Sequence, residues 1–206
     1  MRKCAIFDMD GTIANTLPMV VDIVNRMGPD YGVDPIKDVN KLRELPSEQV
    51  YKALGISRIR FLRLFYRVRE ELGLSVASAP LFEGIVPVLE DLKKSGVILG
   101  LLSTNSEDNM YRFLDAHGLD CFSFVESGGI FGKAKVIKNI ISSRAIDPKS
   151  CFLIGDETRD IASSKKAGVL SVAVTWGYNT QRVLEAKKPT YIVNTPKELL
   201  RTITPL

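Results

Sequence analysis

Four short apolar runs set the limits on what this chain can fold into. Cys4–Phe7, Val97–Leu102, Cys151–Ile154 and Leu170–Val174 are uninterrupted by charge, and each gives way to a polar cluster. Thr190–Val193 is a fifth, weaker run. Runs of this length and character belong to strands buried on both faces. Helical patterns lie between them: Pro87–Lys94 before Gly96, Asp108–His117 before Gly118, Lys133–Arg144, and Asp160–Ala167 before Gly168. In the third, Val136, Ile137, Ile140 and Ile141 repeat at about 3.6 residues, the period of one helical face. Buried strands alternating with amphipathic helices predict an α/β fold, a Rossmann-like three-layer core with a parallel sheet between two helical layers. Ligands in such folds bind beyond the carboxyl ends of the strands, where the polar clusters fall.

Residues 15–81 break the pattern. They hold no convincing buried strand but do hold helical patterns at Leu17–Met27, Ser47–Leu54 and Ser57–Leu72. The expected organisation is a core of residues 1–14 and 82–206, with 15–81 as an all-helical insertion over the active edge. Pro80 and Gly84 mark the return to the core.

Composition narrows the function classes. The chain has 206 residues, 45% of them hydrophobic, enough for a substantial core. A formal net charge of +4 suits an anionic substrate but is too weak to argue for nucleic acid. The three cysteines, Cys4, Cys121 and Cys151, show no close spacing, which argues against a disulfide framework or a zinc site. Asp8 and Asp10 interrupt what would be the apolar part of a signal peptide after Arg2 and Lys3, and no run is long enough to span a bilayer. A cytoplasmic protein without a membrane partner is expected.

Asp8 and Asp10 follow the first strand directly. Two carboxylates at a buried strand end repel each other and resist desolvation unless something compensates. A divalent cation does so, and magnesium favours carboxylate and phosphate oxygens. The alternative is a solvated Asp-Gly turn. Gly11 and Thr12 add a tight turn and a hydroxyl. Asp156 and Asp160, in Gly155-Asp156-Glu157-Thr158-Arg159-Asp160, form a second acidic site after another strand. Asp160 falls near a helix N-terminus, where capping backbone amides is an equal explanation. Ser103-Thr104-Asn105 places a hydroxyl and amides at a third strand end, suited to phosphate oxygens and equally to an ordinary loop. Lys133 opens a helix, where a lysine either neutralises phosphate or is merely a surface residue.

The combination Phe7-Asp8-Met9-Asp10-Gly11-Thr12-Ile13, Ser103-Thr104-Asn105, Lys133 and Gly155-Asp156-Glu157-Thr158-Arg159-Asp160 resembles the haloacid dehalogenase superfamily. The likeness is to its phosphoglycolate phosphatase-like members, which carry a helical cap after the first motif. The resemblance implies that Asp8 is the nucleophile, forming an aspartyl-phosphate, and that Asp10 is the general acid and base. It implies Mg2+ held by Asp8, the main-chain carbonyl of Asp10 and Asp156, with Asp160 in support. Ser103 and Lys133 would bind and neutralise the phosphoryl group, with Thr104, Asn105, Gly11 and Thr12 on the substrate side. The implied partner is a small phosphorylated metabolite, with 2-phosphoglycolate the leading candidate, and the expected form is a monomer or homodimer. A sugar-phosphate mutase and a non-catalytic binding protein on this fold remain as alternatives.

Two departures from the pattern stand out. Asn15 occupies a position that is acidic in many relatives, and Lys135 rivals Lys133 because no proline follows Lys133. In the insertion, Arg60, Arg63 and Arg67 share a helical face beside Phe61, Leu64, Phe65 and Val68, with Arg58 and Arg69 roughly opposite. A solvated basic face is the favoured reading, and an arginine meeting the substrate is the sharper one. Arg43 and Glu44 lie in a loop expected to reach toward the active site.

Overall fold

The structure, a computed structural model, describes residues 2–204. Its centre is a parallel sheet of β1 (Cys4–Phe7), β2 (Ile98–Ser103), β3 (Phe124–Ser127), β4 (Cys151–Gly155), β5 (Leu170–Val174) and β6 (Tyr191–Val193). The spatial order is β3-β2-β1-β4-β5-β6. The chain winds outward from β1 through β2 to β3, then crosses to β4 and winds out the other way. The switch point therefore falls between β1 and β4, whose registers are flush: Phe7 faces Leu101 on one side and Ile154 on the other. Asp8 and Asp156, each just past its strand, flank the crevice that this topology opens.

Side chains alternate across the sheet, as a period of two requires. Ala5 and Phe7 pack into one layer with Leu89 of α5 (Ile85–Lys94), Phe113 of α6 (Glu107–Ala116) and Leu199 of α10 (Pro196–Ile203). Cys4 and Ile6 pack into the other with Ile137 and Ile140 of α7 (Gly129–Ser143) and Ala167 of α8 (Thr158–Ala167). All three cysteines are free and buried, as small apolar fillers. The short α9 (Gln181–Ala186) packs Leu184 against Ile161 of α8 and Ala173 of β5.

The regular elements between β1 and α5 are all helical: α1 (Leu17–Met27), α2 (Val39–Arg43), α3 (Val50–Ala53) and α4 (Arg58–Ser75), with short 3-10 turns. It builds a cluster of its own, with Ile23, Val24, Val33, Ile56, Leu64, Val68 and Leu72 buried together. Its two connections to the sheet are paired. Ala14 bridges Leu81 in antiparallel fashion, the amide of Asn15 donates to Pro80 O at 2.7 Å, and that of Phe82 donates to Ile13 O at 3.0 Å.

Several sequence expectations need correction. β3 carries no strand signal in the sequence: it is an edge strand, interrupted by Glu126, and only Phe124 of it is buried, so it lacks the continuous apolar run of the others. Its docking depends on Gly100 in β2, where an added Cβ would overlap the Phe124 ring. Helix α7 starts at Gly129 rather than Lys133, because the glycine-rich approach hides its first turn. The helix expected over Ser47–Leu54 divides into a 3-10 turn and the four-residue α3. Arg60, Arg63 and Arg67 lie exposed on α4 while Leu64 and Val68 are buried beneath, the arrangement of a solvated basic face. Arg67 pairs with Glu70 and, at 3.8 Å, with Glu71. Among the described residues no helix is long and apolar enough to cross a membrane.

Candidate active site

Asp8 and Asp156 are each fixed by a strand end, directly after β1 and β4. The peptide after Phe7 continues the sheet for one residue, with the Asp8 amide donating to Ile154 O at 2.8 Å, before the chain turns at Gly11. That turn requires a glycine twice over: φ is +78°, and a Cβ there would overlap the Asp156 carboxylate. The chain then folds back, with Ile13 and Ala14 amides both donating to Met9 O. Asp8 is thereby pinned, and its Oδ1 accepts from the Met9 amide at 2.8 Å.

Lys133 reaches this site from the second turn of α7. Side chains on a helix lean toward its N-terminus, and Gly128, whose Cβ would lie 3.0 Å from Lys133 Cγ, leaves room for the stem. The ammonium is 2.5 Å from Asp8 Oδ2 and 2.7 Å from Asp160 Oδ1, with all three side chains buried. Lys135 is exposed, so of the two rival lysines Lys133 is the one in the cluster. Burial works against the charge on Lys133, but Asp160 and Asp8 outweigh it and hold its pKa above the ordinary lysine range.

Asp160 has a structural duty as well. It stands at the third position of α8 and its Oδ2 accepts from the Glu157 amide at 3.1 Å, half of a capping box with Glu157. Capping and membership in the cluster are therefore not alternatives, because one oxygen serves each. Asp156 is fully buried and accepts from Thr12 Oγ1 at 2.7 Å and from the Tyr178 amide at 2.7 Å.

Asp10 is not one of this trio and is half-buried. Its Oδ2 receives long contacts from Ser103 Oγ (3.4 Å) and Asn105 Nδ2 (3.5 Å), and its Oδ1 is buried without a hydrogen-bond partner. An orphaned buried carboxylate oxygen in a native fold calls for a ligand or a proton. Ser103 is fully buried and its Oγ accepts from the Asn105 amide at 3.0 Å. Thr104 and Asn105 are buried beside it.

The electrostatics are one-sided. Five carboxyl groups (Asp8, Asp10, Asp156, Glu157 and Asp160) crowd around two cationic side chains, Lys133 and Arg159. Burial pushes Asp8 up to about 7, with Lys133 pulling it down and Asp160 pushing it back up. Asp156 is driven well above the usual carboxylate range by burial and by the negative charges of Glu157, Asp8 and Asp160. Burial also raises Asp10. One oxygen from each of Asp8, Asp156 and Asp160 lies within 4.8 Å of the others. Ligand oxygens around an octahedral magnesium ion lie from about 3 Å (adjacent) to about 4.2 Å (opposite) apart. A small contraction would bring this trio into that range, so an all-oxygen, negatively charged donor set fits a hard divalent cation.

Several residues at the site escaped the sequence reading. Tyr178 touches it twice, through its amide on Asp156 and through its hydroxyl, 2.9 Å from Thr16 Oγ1. Trp176 Nε1 donates to Thr12 O at 3.1 Å, and Asn179 Oδ1 accepts from the Thr158 amide at 2.9 Å. Their signal was the polar stretch after β5, at the same sheet edge as the other clusters. It carries no acid and so suggested no chemistry. Arg159 and Glu157 form a pair, with Nη2 donating to Oε1 at 2.9 Å. Asn15, the departure from the family pattern, points its amide to Pro80 O in the paired connection to the helical segment.

Fold and acid cluster together define an α/β protein with a cation-suited carboxylate site at the switch point of its sheet. The comparisons with known proteins give that class its family. Residues 5–174 match the family model described as haloacid dehalogenase-like hydrolase, and the chain belongs to that family. It is 37% identical to the phosphoglycolate phosphatase of Synechococcus elongatus over 99% of this chain and 98% of that protein. It is 30% identical to the N-acetylmuramic acid 6-phosphate phosphatase of Pseudomonas aeruginosa, over 85% of this chain and 83% of that one. Among solved structures, a predicted phosphatase from Clostridium acetobutylicum superposes with a TM-score of 0.83 at 21% identity, each chain covered completely. That likeness is one of fold.

Proposed function

We propose that this protein is a Mg2+-dependent phosphatase of small phosphate monoesters, with 2-phosphoglycolate the leading substrate, acting through an aspartyl-phosphate on Asp8. The observation that carries the reading is the meeting of Asp8 with Lys133 and Asp156 at one strand crevice, 125 residues or more apart in the chain. The whole-length identity to a phosphoglycolate phosphatase supports the choice of substrate. On this reading residues 15–81 are a cap over the core of 1–14 and 82–206 that helps select the substrate. The protein works in the cytosol, as a monomer or homodimer, on a freely diffusing metabolite.

The steps follow from the groups at hand. An Asp8 carboxylate oxygen attacks phosphorus, and the bond from phosphorus to the leaving oxygen breaks as Asp10 delivers its proton to that oxygen. The raised pKa of Asp10 suits it to carry that proton. Asp10, now ionised, takes a proton from water, and the resulting hydroxide attacks phosphorus to release phosphate and the Asp8 carboxylate. Lys133 balances charge on Asp8 and the phosphoryl oxygens throughout. Ser103 Oγ and the 103–105 turn orient the phosphoryl group, while Thr12, whose hydroxyl donates to Asp156, and Gly11, which leaves room for that carboxylate, support the acid beside it. Asp8, the Asp10 carbonyl and Asp156 would hold Mg2+, with Asp160 supporting Lys133. Bound there, the ion supplies positive charge that lowers the repulsion between carboxylate and phosphate dianion.

The test is phosphate release across a metabolite panel with Mg2+, run for the wild type and Asp8→Asn. The wild type is expected to turn over an aryl phosphate and, best of the panel, 2-phosphoglycolate, while the variant falls to background. Wild-type turnover by Asp8→Asn would remove Asp8 from the role of nucleophile.

A further inference from the structure

Asp156 is held in an unusual way for an acid in this cluster. Among the described residues no lysine or arginine hydrogen-bonds it. Its partners are Thr12 Oγ1 and the amide of Tyr178, and its own main-chain carbonyl accepts from the Asn179 amide at 3.2 Å. The turn 177–179 therefore grips Asp156 at both backbone and carboxylate. That turn has no slack beneath it, because a Cβ on Gly177 would overlap both Gly11 O and the Asp156 carboxylate.

The outer side of the same turn is gripped by the helical segment. Arg43, the last residue of α2, donates from Nη2 to Gly177 O at 2.9 Å and from Nε to Tyr178 O at 3.2 Å. Its own carbonyl accepts from the Thr180 amide at 3.0 Å, and Asn179 Nδ2 donates to Leu45 O at 2.9 Å. A guanidinium forked over two consecutive carbonyls restrains a peptide more firmly than one point charge does. Arg43 meets the turn only through the segment that carries it. The peptide it holds on its carbonyl side donates on its amide side to a candidate metal ligand.

We propose that Arg43 is a positioning residue for Asp156: it clamps the Gly177–Tyr178 turn while the helical segment is seated on the sheet, so that seating and cation binding reinforce each other. The inference rests on the metal reading above and goes beyond it, because Arg43 touches neither the acids nor the phosphate position. Linkage makes the effect reciprocal: if seating raises cation affinity, cation binding stabilises the seated segment by the same factor.

The full-length protein can be titrated with Mg2+ alone, without substrate. Trp176 is the single tryptophan and adjoins the clamped turn, so its fluorescence reports on it, and thermal unfolding gives a second readout. In Arg43→Met the Mg2+ half-saturation is expected to rise about tenfold, within the usual range of coupling between sites. Arg43→Lys, keeping charge but losing the fork, should fall between. Glu44→Gln, which breaks a surface bridge to Arg182 from the residue next to Arg43 without touching the turn, should leave the half-saturation unchanged. The kcat of Arg43→Met on an aryl phosphate should recover toward wild type at saturating Mg2+. A merely structural Arg43 would instead lower the melting temperature equally in Mg2+ and in EDTA, and that result overturns the proposal. So does equal affinity in Arg43→Met and wild type, or an equal loss in Glu44→Gln. Should Arg43→Met prove insoluble, Arg43→Lys decides by the same criteria. A wild type that shows no response to Mg2+ in either readout is a different failure: it removes the metal reading itself, and this inference with it.

Discussion

With its ammonium within hydrogen-bond reach of both Asp8 and Asp160, Lys133 joins a candidate nucleophile to the residue that caps α8. Replacing it by methionine keeps the stem's packing and removes the charge. We expect kcat to fall roughly 10²- to 10³-fold, the usual cost of losing one charge-stabilising group, as measured by steady-state phosphate release; Lys135→Met should be near wild type. Gly177 is a second single-residue lever. Alanine there has to displace the Asp156 carboxylate or the Gly11 peptide, so Gly177→Ala should lose most of its Mg2+-induced rise in melting temperature. An unchanged rise would show that the turn yields easily. At this scale the acids were legible in the sequence because carboxylates after buried strands have few stable explanations. Tyr178 and Trp176 were not, and Arg43 was legible only as a residue near the site, because all three act through main-chain atoms and a carbonyl leaves no residue-type signature.

Elements supplied the geometry that single residues could not. The central strands were readable because they are buried on both faces and so are apolar throughout. β3 was not, since an edge strand packed mainly through Phe124 tolerates Glu126 and Ser127. The start of α7 was obscured by Gly128, Gly129 and Gly132, and only the folded helix shows Lys133 one turn inside it. The helical segment, with Leu64 at the centre of its own cluster, offers a prediction of its own. Leu64→Ala should cost about 2–5 kcal/mol. If that segment opens as a unit, hydrogen exchange should quicken across residues 17–78 and leave β1 and β4 protected. Equal loss of protection in the sheet would mean the two parts unfold together.

For the whole molecule, the crowding of buried acids becomes a dependence of stability on pH. Asp8 rises from an ordinary 3.8 to about 7, and Asp156 and Asp10 also rise. A carboxyl that holds its proton more tightly when folded favours the fold at low pH. That advantage is lost as pH climbs through the folded value, for Asp8 between about 4 and about 7. A divalent cation reverses the balance by favouring the ionised carboxylates. The rise in melting temperature on adding Mg2+ should therefore be larger at pH 8 than at pH 5, measured by calorimetry in matched ionic strength. An equal rise at both would show that the cation binds away from these acids.

What the sequence by itself determined was the sheet interior, the helical character of residues 15–81 and the acids at the strand ends. Those are local matters: burial on two faces demands apolar runs, and clustered charge demands compensation. The tertiary structure alone decided which lysine meets Asp8, that Asp160 both caps and pairs, and that a turn after β5 grips Asp156 from beneath an arginine of the helical segment. These depend on which strand ends become neighbours and on where main-chain groups point, and neither is written in the identity of any one residue.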